Sequence, residues 1–282
     1  MKELLAIARV YLDLFEREFT ALILTLPRIY IFFVVSQVMG MQAVSRLVRN
    51  TVVIVLAAFA APINLGALGS FDGTVVSYAF HFLKEALIGI LLGYLVGWIY
   101  WAVQSAGTFI DNQRGSALAG SVDPLHGHET TPFGILFSQA FLTYTFITGA
   151  VLHIVMLLFL SFVLWPAGSP IPEPAAAFAP LMLAIADNGM RLIVIIGMPV
   201  VAPMFLAEFA IALVSRFAPQ VQVFILAMPI KSALAVLVLL FYFSRLLPYA
   251  TGALMEMDGT FAGLFELLGI SGSAGVPGGV PR

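Results

Sequence analysis

Six long apolar runs constrain the fold of this chain more than any other feature of its sequence. A helix that spans a membrane needs about 20 mostly apolar residues, and each run is about that long or longer. Short polar or proline-containing breaks separate the runs. The pattern predicts an all-α, polytopic membrane protein of helical hairpins, with apolar runs at Phe19–Met39, Val48–Leu68, Val75–Val103, Phe133–Trp165, Leu181–Val214 and Val221–Leu247.

Composition agrees with a membrane protein and excludes several other classes. Charged residues make up 10% of the 282 residues and the mean hydropathy is +1.04, whereas soluble domains carry about 25% charged residues. The formal net charge of -2 leaves no basic surface for nucleic acid. The absence of cysteine excludes disulfides and thiolate metal sites. We expect one membrane domain over residues 1–270, followed by a Gly- and Pro-containing disordered tail, 271–282.

Prolines inside several runs predict interrupted helices. Pro27 lies in the first run, Pro199 and Pro203 lie in the fifth, and Pro229 lies in the last. A proline inside a helix removes a backbone hydrogen bond. In a membrane, neighbouring protein must satisfy the freed backbone groups. We therefore expect these helices to pack within a crowded assembly of subunits.

Ionisable side chains within the apolar runs are the first candidate functional residues. A lone charge near mid-membrane costs about 2.5 to 3.5 kcal/mol, so Glu85, Glu208 and Lys231 need partners, water or an interface. Lys84 and Glu85 are adjacent and point to different sectors of a helix, so we expect no close pair between them. Our interpretation is polar contact between subunits. Snorkelling to the membrane surface is the alternative.

Three glycines form a ladder along the third apolar run. Gly89, Gly93 and Gly97 recur at four-residue spacing, which places them on one face of a helix and lets another backbone approach closely. Glycine is also common in membrane helices without such a role. The spacing favours tight helix packing, and it does not identify the partner helix.

A polar island, Gln104–Thr131, interrupts the apolar pattern between the third and fourth runs. It contains Asp111, Arg114, Asp123 and Glu129 together with several glycines. In a membrane protein such a patch must face water or be shielded by other protein. We therefore expect function to reside in this segment.

The histidines of the island do not form a convincing metal site. His126, His128 and Glu129 carry ligand-type side chains, but helical zinc pairs stand four residues apart, whereas Gly127 separates these two histidines. A polar loop is the better interpretation. No G-x-S-x-G nucleophile motif and no phosphate loop occur in the sequence. We predict no enzyme activity, no metal and no cofactor.

A short joint separates the last two runs. Pro219 ends the helix before it, and Gln220 offers amide donors and acceptors where the chain reverses. Arg216 adds a charge beside them. The pattern predicts a helical hairpin with a polar tip, whose three polar or turn residues are candidates for contacts between subunits. An ordinary turn between membrane helices is the alternative.

Two motifs in this order resemble a known family. The pattern A-G-x-x-I-D-x-Q-x-G-x-x-x-A-x-x-x-D-P at Ala106–Pro124, followed by R-F-A-P-Q-x-x-V-F and M-P-I-K-S, is similar to the T subunit of the type III secretion export apparatus. That subunit is SctT, and its flagellar counterpart is FliR. The resemblance extends from the first apolar run to about Gly269. Gln222 departs from the family, which more often has Asn there. Lys231 is more similar to the injectisome branch.

The resemblance implies a channel subunit rather than an enzyme. Family members assemble with the R and S subunits, SctR and SctS, into a helical export gate beside the V and U apparatus proteins. The gate lies in the bacterial inner membrane within the basal body, partly raised toward the periplasm, and unfolded proteins pass through it. The segment that matches Gly107–Gly120 contributes a plug that closes the resting pore. The implied plug residues are Gly107, Phe109, Ile110, Asp111, Gln113, Arg114, Gly115, Gly120, Asp123 and Pro124.

The residues also fit the plug mechanism physically. Glycines at 107, 115 and 120 permit tight, movable turns, and the polar residues between them can exchange hydrogen bonds with water. The competing interpretation is a secondary transporter for a small solute, with Glu85, Glu208 and Lys231 as coupling groups. A transporter of that kind predicts two matching repeat halves, and no convincing internal repeat occurs in the sequence.

Overall fold

The computed structural model describes residues 2–40, 44–66, 74–115, 131–169, 175–217 and 223–268, and the side chains of 2–14 and 223–225 are outside this description. Within these residues the chain is helical and contains no strand. The helices are α1 Lys2–Val35, α2 Arg46–Asn64, α3 Val75–Arg114, α4 Pro132–Ile147, α5 Ala150–Leu164, α6 Phe178–Phe217, α7 Val223–Met255 and α8 Met257–Leu267.

The lengths and hydropathies of the helices fit a polytopic membrane protein. Five segments of the described chain are long and apolar enough to cross a membrane, or six if α4 and α5 together form one broken span. Each of the six predicted runs corresponds to one of these segments or to the α4–α5 pair. The prediction of an all-α, polytopic membrane protein is therefore confirmed.

The helices are interrupted at a different place from the one that proline predicts. Pro27 lies inside a continuous α1, and Pro199 and Pro203 lie inside a continuous α6. The break falls at Thr148 and Gly149, between α4 and α5, in a predicted run without proline. Gly149 has φ +77°, in the left-handed region that commonly ends a helix. The Thr148 and Gly149 N–H groups bond back to the last turn of α4.

The chain divides into two compact units, each assembled from separate stretches. The first contains Met1–Gly97, Val151–Leu183 and Glu256–Arg282, and the second contains Trp98–Ala150 and Ala184–Met255. The organisation of residues 1–270 as one membrane domain stays a prediction. The predicted disordered tail, 271–282, lies outside the described residues.

In the first unit, the glycine ladder of α3 lies against α1. A Cβ atom added to Gly89 would lie 2.7 Å from the Arg28 carbonyl oxygen, and one on Gly97 would lie 2.9 Å from the Val35 carbonyl oxygen. A Cβ on Gly93 would lie 3.0 Å from the Phe32 carbonyl oxygen. The three glycines therefore lie where the backbones of α3 and α1 approach most closely. Helix α1 is the one that packs against the ladder.

The short helix α8 contacts the rest of the first unit at both of its ends. His153 Nε2 of α5 lies 2.9 Å from Asp258 Oδ1 near the start of α8. The Ala175 N–H donates to the Leu267 carbonyl oxygen at its end, over 3.0 Å. His153 is therefore within ion-pair distance of Asp258, although its Nε2 makes no aligned hydrogen bond.

Candidate functional site

The first polar centre of the molecule is the Glu85 cluster, formed by Arg28 of α1 with Lys84 and Glu85 of α3. Arg28 Nε donates to Glu85 Oε2 over 2.6 Å, and Arg28 Nη2 donates to Glu85 Oε1 over 3.0 Å. This is the bidentate geometry that makes arginine–carboxylate pairs strong. Both side chains are 0% exposed. The pair therefore fixes α1 to α3 in the interior of the first unit.

Backbone carbonyls at the end of α5 satisfy the remaining donors of the Glu85 cluster. Arg28 Nη1 donates to the Ser161 carbonyl oxygen over 3.0 Å, and Nη2 donates to that of Trp165 over 2.9 Å. Lys84 Nζ donates to the carbonyl oxygens of Ala167 and Ser169, over 2.5 and 2.8 Å. All three nitrogens of the Arg28 guanidinium are bonded, as a buried charge requires.

The expectation that Lys84 and Glu85 do not pair is wrong. Lys84 Nζ lies 3.0 Å from Glu85 Oε1. Their Cβ atoms do leave the helix in different directions, but the four-carbon Lys84 side chain is long enough to return its ammonium to the carboxylate. Because Glu85 has two cationic partners in its own chain, its burial needs no second subunit. A role for Glu85 at subunit contacts stays a prediction.

Asn64, at the end of α2, joins the Glu85 cluster through a shared turn, and the sequence interpretation missed it. Asn64 Nδ2 donates to Thr25 Oγ1 over 2.9 Å, and Asn64 Oδ1 accepts from the Ala167 N–H over 2.8 Å. The Ala167 carbonyl is the one that receives Lys84. The available signal was Asn64 as the one polar residue of the sequence Val52–Leu68, because a buried amide must find partners.

The second polar centre, in the second unit, is the Asp111 anchor, formed by Asp111 and Arg114 of α3 with Phe133 and Gly134 of α4. Asp111 Oδ2 accepts from the Phe133 N–H over 2.8 Å and from the Gly134 N–H over 3.3 Å. The Asp111 side chain is 0% exposed, and Arg114 Nη2 lies 2.8 Å from Oδ1. This second contact is an ion pair without hydrogen-bond alignment. The Arg114 guanidinium also lies over the Phe133 ring, 4.6 Å from its centroid.

Glycines bring the two helix ends of the Asp111 anchor together. A Cβ on Gly107 would overlap the Phe133 backbone and lie 2.8 Å from Gly134 Cα. A Cβ on Gly134 would lie 2.6 Å from Thr108 Oγ1. The prediction that Gly107 forms a movable turn is therefore wrong. The residue lies inside α3, which continues through Arg114, and its missing side chain serves close packing instead.

The other predicted plug residues lie along the same end of α3. Ile110 is fully buried, and Gln113 is half-buried. Phe109 is partly exposed, and its ring fills the notch at Gly197 of α6, where a Cβ would lie 2.9 Å from Phe109 Cδ1. Gly115 follows the last helical residue with φ +96°, so it does form a turn. The predicted residues Gly120, Asp123 and Pro124 lie outside the described residues, as do His126, His128 and Glu129.

The third charged site joins α6 to α7 at the Glu208–Lys231 pair. Lys231 Nζ donates to Glu208 Oε2 over 3.1 Å, with 10% of the Lys231 side chain and 45% of the Glu208 side chain exposed. The carboxylate therefore remains open on one side. Arg216 is exposed near the end of α6, and Pro219 and Gln220 lie outside the described residues.

Comparison with known proteins places this architecture in a family. The sequence model described as bacterial export proteins, family 1, matches residues 19–257. The chain belongs to this family.

Members of bacterial export proteins, family 1, from several bacteria share much of the chain. The Yop proteins translocation protein T of Yersinia pestis is 35% identical over 248 residues, which are 87% of this chain and 95% of that protein. The surface presentation of antigens protein SpaR of Salmonella typhimurium is 34% identical over 166 residues, 59% of this chain and 62% of that protein. The flagellar biosynthetic protein FliR of Bacillus subtilis is 29% identical over 259 residues, 90% and 97% of the two chains.

The family match covers all three charged sites. The Glu85 cluster, the Asp111 anchor and the Glu208–Lys231 pair lie within residues 19–257. Helix α8 begins at Met257, so all but its first residue lies beyond the matched range. The chain is thus a membrane-embedded member of a family of export proteins, with its polar contacts inside the part that defines the family.

Proposed function

We propose that this chain is the T subunit of the export gate of a bacterial type III secretion system, with a structural and gating role and no enzymatic one. The observation that carries the proposal is the match over residues 19–257, together with 35% identity over 95% of a translocation protein T. The helical membrane architecture supports it, since unfolded proteins need a protein-lined path across a membrane. The similarity to SpaR supports the injectisome branch.

The proposal includes partners and a location. The chain assembles with R- and S-type subunits, SctR and SctS, beside the V and U apparatus proteins, in the inner membrane within the secretion basal body and partly raised toward the periplasm. The exposed apolar side chains of α6 around Glu208 support such contacts. Phe205, Leu206 and Phe209 are each more than half exposed, and apolar surface beside a half-open carboxylate suits a protein neighbour that supplies both packing and a donor.

The proposal retains the segment Gly107–Gly120 as the plug of the resting channel. Phe109 and Ile110 supply apolar bulk in a part of α3 that ends at the left-handed Gly115. The transporter alternative needs titratable groups open to water at mid-membrane. Glu85 is completely enclosed and paired with two cations, which argues against a coupling role for it.

Co-purification tests the proposed assembly. The tagged chain is co-expressed with the R- and S-type proteins of the same bacterium, and the mass of the purified complex is measured. We expect one large, stable complex that contains all three proteins. The tagged chain expressed alone is the control. Recovery of the co-expressed chain only as a monomer or homodimer would contradict the assignment.

Substitution of Phe109 tests the plug. We expect Phe109→Ala to raise the resting ion conductance of the assembled complex in planar bilayers, because it removes a ring that fills the space beside Gly197. Phe146→Ala is the matched control, since Phe146 is also a partly exposed aromatic residue of the second unit. Equal conductance of the two variants would refute the role of Phe109 in closure.

A further inference from the structure

We infer that Asp111 is a positioning residue that holds the last turns of α3 on the first turn of α4, and that this anchor stays closed while the export gate conducts. The inference rests on the proposed function and deepens it. It implies that movement of the plug carries the first turn of α4 with the end of α3.

The first argument is the capping of α4. The first N–H groups of a helix have no acceptor within the helix, and the residue just before the helix usually supplies one. Thr131 occupies that position in α4 and makes no side-chain cap bond. Asp111, which precedes Phe133 by 22 residues, accepts from the Phe133 N–H instead. The start of α4 therefore depends on the end of α3.

The second argument is electrostatic. A carboxylate at a helix N-terminus is favoured because the peptide dipoles give that end positive character, and hydrogen bonds to an ionised acceptor are stronger than neutral ones. Asp111 satisfies both conditions while it is fully buried. Arg114, one turn later, places a cation 2.8 Å from the other carboxylate oxygen. The buried charge thus has partners on both oxygens.

The third argument concerns the contact that surrounds the charge. Gly107 and Gly134 allow the backbones of α3 and α4 to meet, and a Cβ on Gly134 would clash with Thr108 Oγ1 at 2.6 Å. Release of the anchor would separate this packing and leave the Phe133 and Gly134 N–H groups without their acceptor. The buried Asp111 carboxylate would keep only its ion pair with Arg114 of the same helix. A motion that keeps the anchor closed avoids all of these losses. We therefore expect residues 107–114 and the start of α4 to move together, as one rigid unit, when the plug opens.

A disulfide lock tests whether the anchor stays closed. The chain contains no cysteine, so Thr108→Cys combined with Gly134→Cys adds a unique pair, and a Cβ at position 134 would lie 2.6 Å from Thr108 Oγ1, close enough for a disulfide. The variant replaces the native gene in a secreting bacterium, and secreted protein is measured with and without oxidant. Each single substitution is a control, and mass spectrometry quantifies the disulfide.

We expect the disulfide to form in the resting complex and secretion to stay within about twofold of the reduced state, a difference well under the tenfold that 1.4 kcal/mol produces. A disulfide that fails to form, or one that blocks secretion until reductant is added, would overturn the inference. Failure of the wild-type gene to restore secretion to the deletion strain would refute the proposed function instead.

A substitution series tests the role of Asp111 itself. Asp111→Asn keeps an acceptor oxygen, whereas Asp111→Leu has none. We expect Asp111→Leu to raise the resting ion conductance of the assembled complex roughly tenfold, as the loss of a hydrogen bond to a charged group shifts an equilibrium by about that factor or more. With Asp111→Asn, the resting ion conductance should stay close to that of the wild type. Asp187→Leu, at an exposed aspartate of α6 in the same unit, is the control.

The two Asp111 variants differ in the one property that matters for the cap, which is the acceptor for Phe133 and Gly134. An Asp111→Leu complex that seals and secretes like the wild type would overturn the inference. So would an Asp111→Asn complex that leaks as much as Asp111→Leu, because the acceptor oxygen would then have no effect.

Discussion

The Glu85 cluster and the Glu208–Lys231 pair contain the same kinds of residue, yet their surroundings differ. Glu85 is completely enclosed, has two cations as partners, and is linked through them to carbonyl oxygens at the end of α5. Glu208 has one cation as a partner, and almost half of its side chain is exposed. One carboxylate is satisfied by its own chain, and the other is satisfied only in part.

The difference separates two uses of charge in a membrane protein. An enclosed cluster with bonded donors holds the chain's own helices together, and it is costly to disturb because any single removal leaves a buried charge without a partner. A half-open pair contributes little to the folding of its own chain. It remains available to a neighbouring molecule. We expect substitutions at the two sites to affect different measurements.

The largest effect is expected for Glu85→Ala. Removal of this carboxylate leaves Arg28 and Lys84 buried without a counter-charge, which should lower the free energy of unfolding by about 3 to 5 kcal/mol. Denaturant titration of the purified chain in detergent micelles measures it. Exposed ion pairs contribute less than about 1 kcal/mol. A loss in that range would show that the Glu85 cluster stabilises the fold no more than the Glu208–Lys231 pair does.

A triple variant sharpens the same comparison. Arg28→Met, Lys84→Met and Glu85→Leu together replace the cluster by apolar side chains of similar size. Such replacements are often neutral or stabilising, so much of the loss seen in Glu85→Ala should be recovered. If the triple variant is no more stable than Glu85→Ala, lost packing rather than stranded charge explains the single substitution.

An intermediate effect is expected for Asn64→Ala. This change leaves the Thr25 hydroxyl and the Ala167 N–H without their amide partner, and an unsatisfied buried group costs about 1 to 3 kcal/mol. Asn50→Ala, at an exposed position of the same helix, should change the unfolding free energy by less than about 0.5 kcal/mol. Equal effects of the two substitutions would show that the amide at Asn64 is not essential to the turn beside the Glu85 cluster.

The smallest effect on the isolated chain is expected for Glu208→Gln. The glutamine amide oxygen can still accept from the mostly buried Lys231 ammonium, and the carboxylate side of the pair is almost half exposed. The substitution should therefore lower the unfolding free energy by no more than about 1 kcal/mol. Our proposal predicts that the same variant weakens co-purification with R- and S-type subunits, because the open side of the carboxylate faces a neighbour. A large loss of chain stability with normal assembly would reverse the roles assigned to the two carboxylates.

The sequence predicted the helices well because the length and hydropathy of a membrane helix are local properties. It predicted their interruptions less well. Pro199 and Pro203 lie inside α6 without ending it, whereas the break at Thr148 and Gly149 carries no proline. Tertiary packing can hold a proline within a helix, and that packing is not visible in a sequence window.

The sequence also identified charged residues without their partners. Glu85 is conspicuous in an apolar run, but its partner Arg28 lies 57 residues earlier. The glycines and polar residues of the island predicted movable turns where α3 in fact continues to Arg114. Asp111 and Arg114 remain helical there, three residues apart on one face, since they pair with each other and Asp111 also caps α4. Such long-range pairing depends on the fold and could not be derived from local pattern.

The separation of Arg28 from Glu85 also sets an order of events during synthesis. The two residues are 57 positions apart, and at about 5 to 20 residues per second a ribosome completes Arg28 about 3 to 11 s before Glu85. During that interval α1 contains a cation without the carboxylate that later encloses it. Arg28 therefore cannot complete its buried contacts until α3 and then the end of α5 have been made.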